Sequence, residues 1–222
     1  MNDRQIQIVL DSFWPLFEAA LKYTLPLAIS SFAIGLLLAV LTALAQISGV
    51  RILKFIARVY VWIIRGTPLL VQLFIIFYGL PTIGIILPAF VAALIGFSLS
   101  VGAYGSEIVR SAIQSVPKGQ WEAAYSIGMT RGQALRRVIL PQAARVSVPP
   151  LANSFIGLVK DTSLASSITY IELFYKSQQV VARTYEALIL YAEAAVIYLI
   201  FTSVLFVLQS YLEKRLGRSL SS

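Results

Sequence analysis

Tyr23 to Val50, YTLPLAISSFAIGLLLAVLTALAQISGV, runs for 28 residues without a charge between Lys22 and Arg51. A helix needs about 20 apolar residues to cross the hydrocarbon of a bilayer, so this stretch alone makes a membrane span the first expectation. Working outward, the chain repeats the pattern. Between Arg65 and Glu107 there is again no charge, now for 41 residues, with Gly79-Leu80-Pro81 supplying a turn near the middle. Further apolar stretches follow at about 138–168 and 185–211. The reading is an all-α, polytopic membrane protein with one transmembrane domain over 1–222 and five transmembrane helices. These fall at about 23–47, 58–80, 87–113, 138–168 and 185–211. Residues 1–21 carry Trp14 and read as an interfacial helix. Their first apolar run, Ile6 to Leu10, is too short for the core of a cleavable signal.

Composition agrees and excludes much else. Of the 222 residues 58% are hydrophobic and only 13% charged, whereas a soluble domain is about a quarter charged. There is no Cys and no His, which removes disulfides, thiol and imidazole chemistry and the usual zinc or haem ligands. No Gly-Lys dipeptide occurs, so the chain has no Walker A loop, and any ATP and Mg must bind a different subunit. No cofactor or metal is expected on this chain. The net charge of +8 is explained by membrane topology rather than by nucleic acid. Ten Lys and Arg fall after spans one and three and at the C-terminus, Arg218 among them, against four on the other side. That bias predicts an N-terminus outside and a C-terminus in the cytoplasm.

The longest polar stretch inside the apolar chain is 115–137. It reads as two short helical pieces hinged at Gly128, with small Ala123 and Ala124 open to another surface, and Trp121 and Ile127 as anchors among basic residues. This is a candidate docking knob; a basic membrane-surface loop is the plain alternative.

Within this stretch, Glu122-Ala123-Ala124, three residues, Gly128, nine residues and Val138-Ile139-Leu140-Pro141 resemble the EAA loop of bacterial ABC importer permeases. Arg65-Gly66-Thr67-Pro68-Leu69, Leu140-Pro141-Gln142-Ala143 and Lys160-Asp161-Thr162-Ser163-Leu164 are similar to the polar amino-acid subfamily, which carries histidine, glutamine, arginine or cystine. The resemblance implies a type I importer bundle in the inner membrane. It also implies a coupling role for Trp121, Glu122, Ala123, Ala124, Gly128, Leu140 and Pro141. The implied partners are two ABC ATPase subunits, an extracytoplasmic amino-acid-binding protein and a second permease subunit, a copy of this chain ahead of a paralogue.

Charges inside spans are expensive and face the bundle or a cavity. Arg65 and Arg110 are expected to snorkel, and Arg145 to do so or to neutralise Glu107 or Glu122. Glu186 and Glu193, seven apart, share a helix face and are read as interhelical contacts. Lys160 and Asp161 project about 100° apart on a helix, so each needs its own partner or a ligand. Pro150, eleven residues earlier, is expected to disturb that helix. The candidate substrate pathway is therefore Thr67 and Gln72 with Asn153, Ser154, Lys160, Asp161 and Ser163. Family members that carry cationic amino acids often have Glu at the position matching Ser154. A serine there favours a neutral or zwitterionic substrate, cystine before glutamine. A Ser–Lys hydrolase dyad lacks an oxyanion-hole loop. A secondary transporter or channel, needing no ATPase, leaves the docking loop unexplained.

Overall fold

In the computed structural model, which describes residues 2–217, the chain is helical almost throughout, with no strand among the described residues. Arg218 lies outside them. Helix α1 runs without interruption over Asp3–Ile47. The expected interfacial segment is thus the first half of one long helix rather than a separate piece. Its Leu16 is fully buried in a cluster with Leu173, Ala194 and Ile197, while Trp14 points outward.

The second predicted span is not one helix. α2 (Arg51–Gly66) stops at Thr67-Pro68, and α3 (Leu69–Phe74) leaves at an angle of 104°. α4 (Ala89–Ser115) matches its expectation. α5 (Lys118–Ser126) follows, and then a turn. α6 occupies 131–161 as Arg131–Ala134, a wide turn over Leu135–Ile139 and Leu140–Asp161. It passes Pro149-Pro150 as a helix, so the expected break there is absent. A 3-10 segment, Thr162–Ile168, leads to α7 (Leu173–Thr184), which has no counterpart in the sequence reading. α8 (Ala187–Gly217) completes the described chain.

By length and apolarity, Asp3–Ile47, Ala89–Ser115 and Ala187–Lys214 are each able to cross a membrane, and the bent pair Arg51–Gly66 with Leu69–Ile83 makes a fourth if it acts as one span. The count of five is not reached on this criterion. Pro149, Pro150, Asn153 and Ser154 dilute the apolar character of α6.

The centre of the bundle is the pairing of α1 with α4. Ser31, Gly35, Ala39 and Ala43 recur every fourth residue on α1, and all are buried. Small residues at this spacing let two backbones approach, which is how helices associate where lipid tails offer no hydrophobic contrast. The approach is close: a Cβ on Gly35 would lie 2.5 Å from Cβ of Val101.

Three wide turns share one sequence cause. Ala20–Thr24, Ile75–Gly79 and Leu135–Ile139 are π turns, and each is followed by Leu-Pro: Leu25-Pro26, Leu80-Pro81 and Leu140-Pro141. Proline has no N–H and its ring crowds the carbonyl four residues back. A turn with one extra residue relieves that clash without ending the helix.

Candidate functional site

The expected docking knob is built around its turn. α5 ends in a Schellman motif: the Met129 N–H donates to the Ala124 carbonyl (3.1 Å) and the Gly128 N–H to that of Tyr125 (2.9 Å). Gly128 has φ +79°, the left-handed value this motif needs and a β-branched residue resists. One residue later α6 starts with a capping box. The Gln133 N–H donates to Thr130 Oγ1 (3.3 Å), and the Thr130 N–H to Gln133 Oε1 (2.9 Å). The hinge expected at Gly128 is thus a turn with both flanking helix ends hydrogen-bonded.

Not every anchor faces outward. Trp121 is half-buried against the cluster of Ala43, Val109, Ile113 and Ile139, and Ala124 is buried, so these two hold α5 onto the bundle. Glu122, Ala123 and Ile127 are exposed, Ile127 by 74%. Leu140 is partly buried and Pro141 exposed, within the continuous helix α6. Gln142 Nε2 donates to Gln120 Oε1 (3.2 Å), a second tie between α5 and α6.

The candidate pathway residues are divided among three places. Thr67 and Gln72 form the inner corner of the 104° bend. Gln72 Nε2 donates to the Ile64 carbonyl (2.8 Å), the Thr67 carbonyl (3.1 Å) and Thr67 Oγ1 (2.8 Å), and Thr67 Oγ1 donates to the Ile63 carbonyl (2.9 Å). These are the orphan acceptors of a helix end, so Gln72 acts as a C-terminal cap. Gln72 is buried, and its Oε1 has no protein partner. Asn153 is exposed on α6, and Ser154 Oγ donates to the Pro150 carbonyl (3.0 Å). Lys160 and Ser163 line a pocket of about 440 Å³ with Phe174, Tyr191, Tyr198 and Thr202. Asp161 is exposed and does not line it. Neither Lys160 nor Asp161 makes an ion pair among the described residues.

The other intramembrane charges weighed above have partners, with the exception of Arg145. Arg65 and Arg110 do not snorkel alone but converge on Glu107, at 3.9 and 2.6 Å. Gln46 Nε2 also reaches Glu107 (3.0 Å), and Arg65 lies over the Tyr104 ring. Arg145 takes no part. Glu186 and Glu193 make the interhelical contacts expected of them, both to α1: Gln5 Nε2 donates to Glu186 (3.2 Å) and Ser12 Oγ to Glu193 (2.6 Å).

Sequence reasoning overlooked Glu172. It is fully buried, and its carboxylate caps α7 by accepting from the N–H groups of Phe174 (2.9 Å) and Tyr175 (2.7 Å) and from Tyr198 Oη (2.8 Å). Burial pushes its carboxyl up, against the pull of these donors. A lone acid between Tyr170-Ile171 and Leu173-Phe174-Tyr175 was the available signal.

Comparison with known proteins identifies the class. The family described as "Binding-protein-dependent transport system inner membrane component" matches residues 33–218. The "L-cystine transport system permease protein TcyB" of Bacillus subtilis is 56% identical over 212 residues, covering 95% of this chain and 91% of that one. The "Arginine transport system permease protein ArgU" of Corynebacterium glutamicum is 38% identical over 211 residues, covering 88% of this chain and 66% of its own. A solved structure described as "Crystal structure of an amino acid ABC transporter with histidines" superposes with a TM-score of 0.90 at 37% identity, covering 97% of this chain and all of that one. The chain belongs to the family of binding-protein-dependent transport system inner membrane components, as a permease of the amino-acid ABC transporter type.

Proposed function

We propose that this chain is the membrane-spanning subunit of an ATP-driven importer that moves a polar amino acid by alternating access, cystine before glutamine. The observation that carries the reading is the 56% identity with a cystine-system permease over nearly the whole length of both chains. The N-terminus lies outside and the C-terminus in the cytoplasm, on the strength of the ten-to-four distribution of Lys and Arg. α5 and its capped turn then face the cytoplasm and dock an ATPase. The outward-facing residues are Glu122, Ala123 and Ile127, with Gly128 fixing the angle between α5 and α6 and Leu140-Pro141 seating the helix that carries the motion inward. Two such permeases, copies of this chain, two ATPases that bind ATP and Mg, and an external binding protein complete the transporter.

Lys160 and Ser163 offer a cation and a hydroxyl to a substrate carboxylate, in a pocket whose size suits a small molecule. Asp161, about 100° round the helix and outside this pocket, meets the ammonium before the substrate enters it. Asn153 and Ser154 add polar but uncharged groups. A serine hydroxyl cannot offset a buried guanidinium, which supports a zwitterion over arginine or lysine.

The test is uptake into proteoliposomes holding the permease, its ATPase and its binding protein. Transport is expected to demand ATP and all three. Uptake by the permease alone, driven by an ion gradient, would identify a secondary carrier instead. Competition settles the substrate class: excess arginine or lysine is expected to leave uptake intact, and excess cystine to abolish it.

A further inference from the structure

A second cleft lies apart from the candidate pathway. It has a volume of about 980 Å³ and lies where the ends of α1 and α4 meet α2, α5 and the start of α6. Its walls carry Lys54 and Arg58 from α2, Arg110 from α4, Lys118 from α5 and Arg131 from α6, against one acid, Glu107. Arg110 is already paired with Glu107. The remaining four cations make no ion pair among the described residues. Arg131 is held in place by a hydrogen bond from Nη2 to the Ile47 carbonyl (3.1 Å). Four cations from three elements around one concavity repel one another, and an anion in the middle removes that repulsion.

We propose that this cleft binds the phosphate-bearing headgroup of an anionic phospholipid. Two further observations select a lipid over a soluble protein surface. First, α2 turns apolar residues outward from the rim of the cleft round its far side: Phe55 is about 60° round the helix from Arg58 and Ile52 and Ile56 lie farther round, with Ile52, Phe55 and Ile56 67, 67 and 58% exposed. An acyl chain covers that face, while a hydrated ATPase surface does not. Second, Gln46 is 7% exposed and lines the cleft; its Nε2 donates to Glu107, and its Oε1 has no partner in the protein. An acceptor beside a cationic cluster suits a headgroup that bears a hydroxyl as well as a phosphate, such as phosphatidylglycerol. The site abuts α5, so a bound headgroup braces the helix assigned above to coupling. It does not depend on which amino acid is carried.

The experiment is native mass spectrometry of the intact transporter released from nanodiscs of mixed phosphatidylcholine and phosphatidylglycerol. The wild type is expected to retain phosphatidylglycerol preferentially. Each Lys or Arg near an anionic surface is worth about 1 kcal/mol, so a Lys54→Gln/Arg58→Gln double variant is expected to weaken retention roughly thirtyfold. The charge-conserving Lys54→Arg/Arg58→Lys variant is expected to keep it, which separates lost binding from misfolding. Equal retention in the wild type and the Gln variant overturns the proposal. So does tighter binding of free glycerol 3-phosphate than of phosphatidylglycerol, which would mark a site for soluble phosphate. A Gln variant that loses its ATPase while holding phosphatidylglycerol normally would assign the cleft to the ATPase instead.

Discussion

At two places in this chain, Pro68 and the pair Pro149-Pro150, proline stands where a helix is expected to break, and only the first is a break. At Thr67-Pro68 the chain turns through 104°. At Pro149-Pro150, with two consecutive donors missing, α6 continues as a helix. The difference is what waits for the freed carbonyls. At the first site Thr67 adopts an extended conformation (φ −121°, ψ 145°), and Gln72 supplies an amide to the exposed helix end. At the second, the hydroxyl of Ser154 reaches only the carbonyl of Pro150 along the same helix. Inside a membrane a backbone acceptor must find a protein donor, so a bend forms where a side chain is ready to cap it. Proline permits the break, and the cap decides it.

The largest effect is therefore expected from Gln72→Leu. It leaves the Ile64 and Thr67 acceptors unpaired in a part-buried corner, at up to about 1–3 kcal/mol for each. The chain has no native cysteine, so labels at Phe55→Cys and Ile83→Cys report the bend cleanly. Their distance distribution is expected to broaden in Gln72→Leu and to hold in Pro68→Ala. A normal distribution and melting temperature in Gln72→Leu would refute the account of the bend. Glu172→Ala is a second test of the same rule, since it uncaps α7 and strands Tyr198. A loss of about 2 kcal/mol is expected in the thermal stability of the purified complex. Gly128→Val forces a β-branched side chain into a left-handed conformation, at about 1–3 kcal/mol. Membrane insertion is expected to survive while ATP hydrolysis no longer tracks uptake, measured side by side in proteoliposomes. The smallest effect belongs to Pro150→Ala. It returns a donor to a helix that is already continuous, so stability is expected to hold or rise and uptake to stay unchanged.

What was legible in the sequence follows the same division. Apolar length locates α4, α8 and the second half of α1, because a bilayer admits little else. The seven-residue spacing of Glu186 and Glu193 announced a shared polar face, and Gly128 announced its turn. The illegible features depend on partners distant in the chain or on unusual chemistry. Lys22 looked like a boundary, but helix α1 runs through it, and the polar groups that hold its first half are Glu186 and Glu193, more than 160 positions away. Arg65 and Arg110 looked like separate snorkelling groups until α4 brought Glu107 between them. Helix α7 was missed because its cap is a glutamate rather than the usual Ser, Thr, Asp or Asn. The candidate pathway was read as one pocket because its residues are all polar. Gln72 and Thr67 instead satisfy one another at the bend, and Lys160 and Ser163 face α7 and α8.

The wide turn at Leu135–Ile139 sets the phase of everything beyond it. It holds one residue more than an α turn, and each residue advances a helix by roughly 100°. Removing a single residue there would leave α6 intact, shorter by about 1.5 Å, yet would rotate its far half by that angle relative to α5. Lys160 would sweep away from the pocket it lines, and Asn153 would exchange one neighbour for another. The azimuth of the pathway residues is thus written as a residue count, in a turn that ends 14 positions before Asn153 and 21 before Lys160.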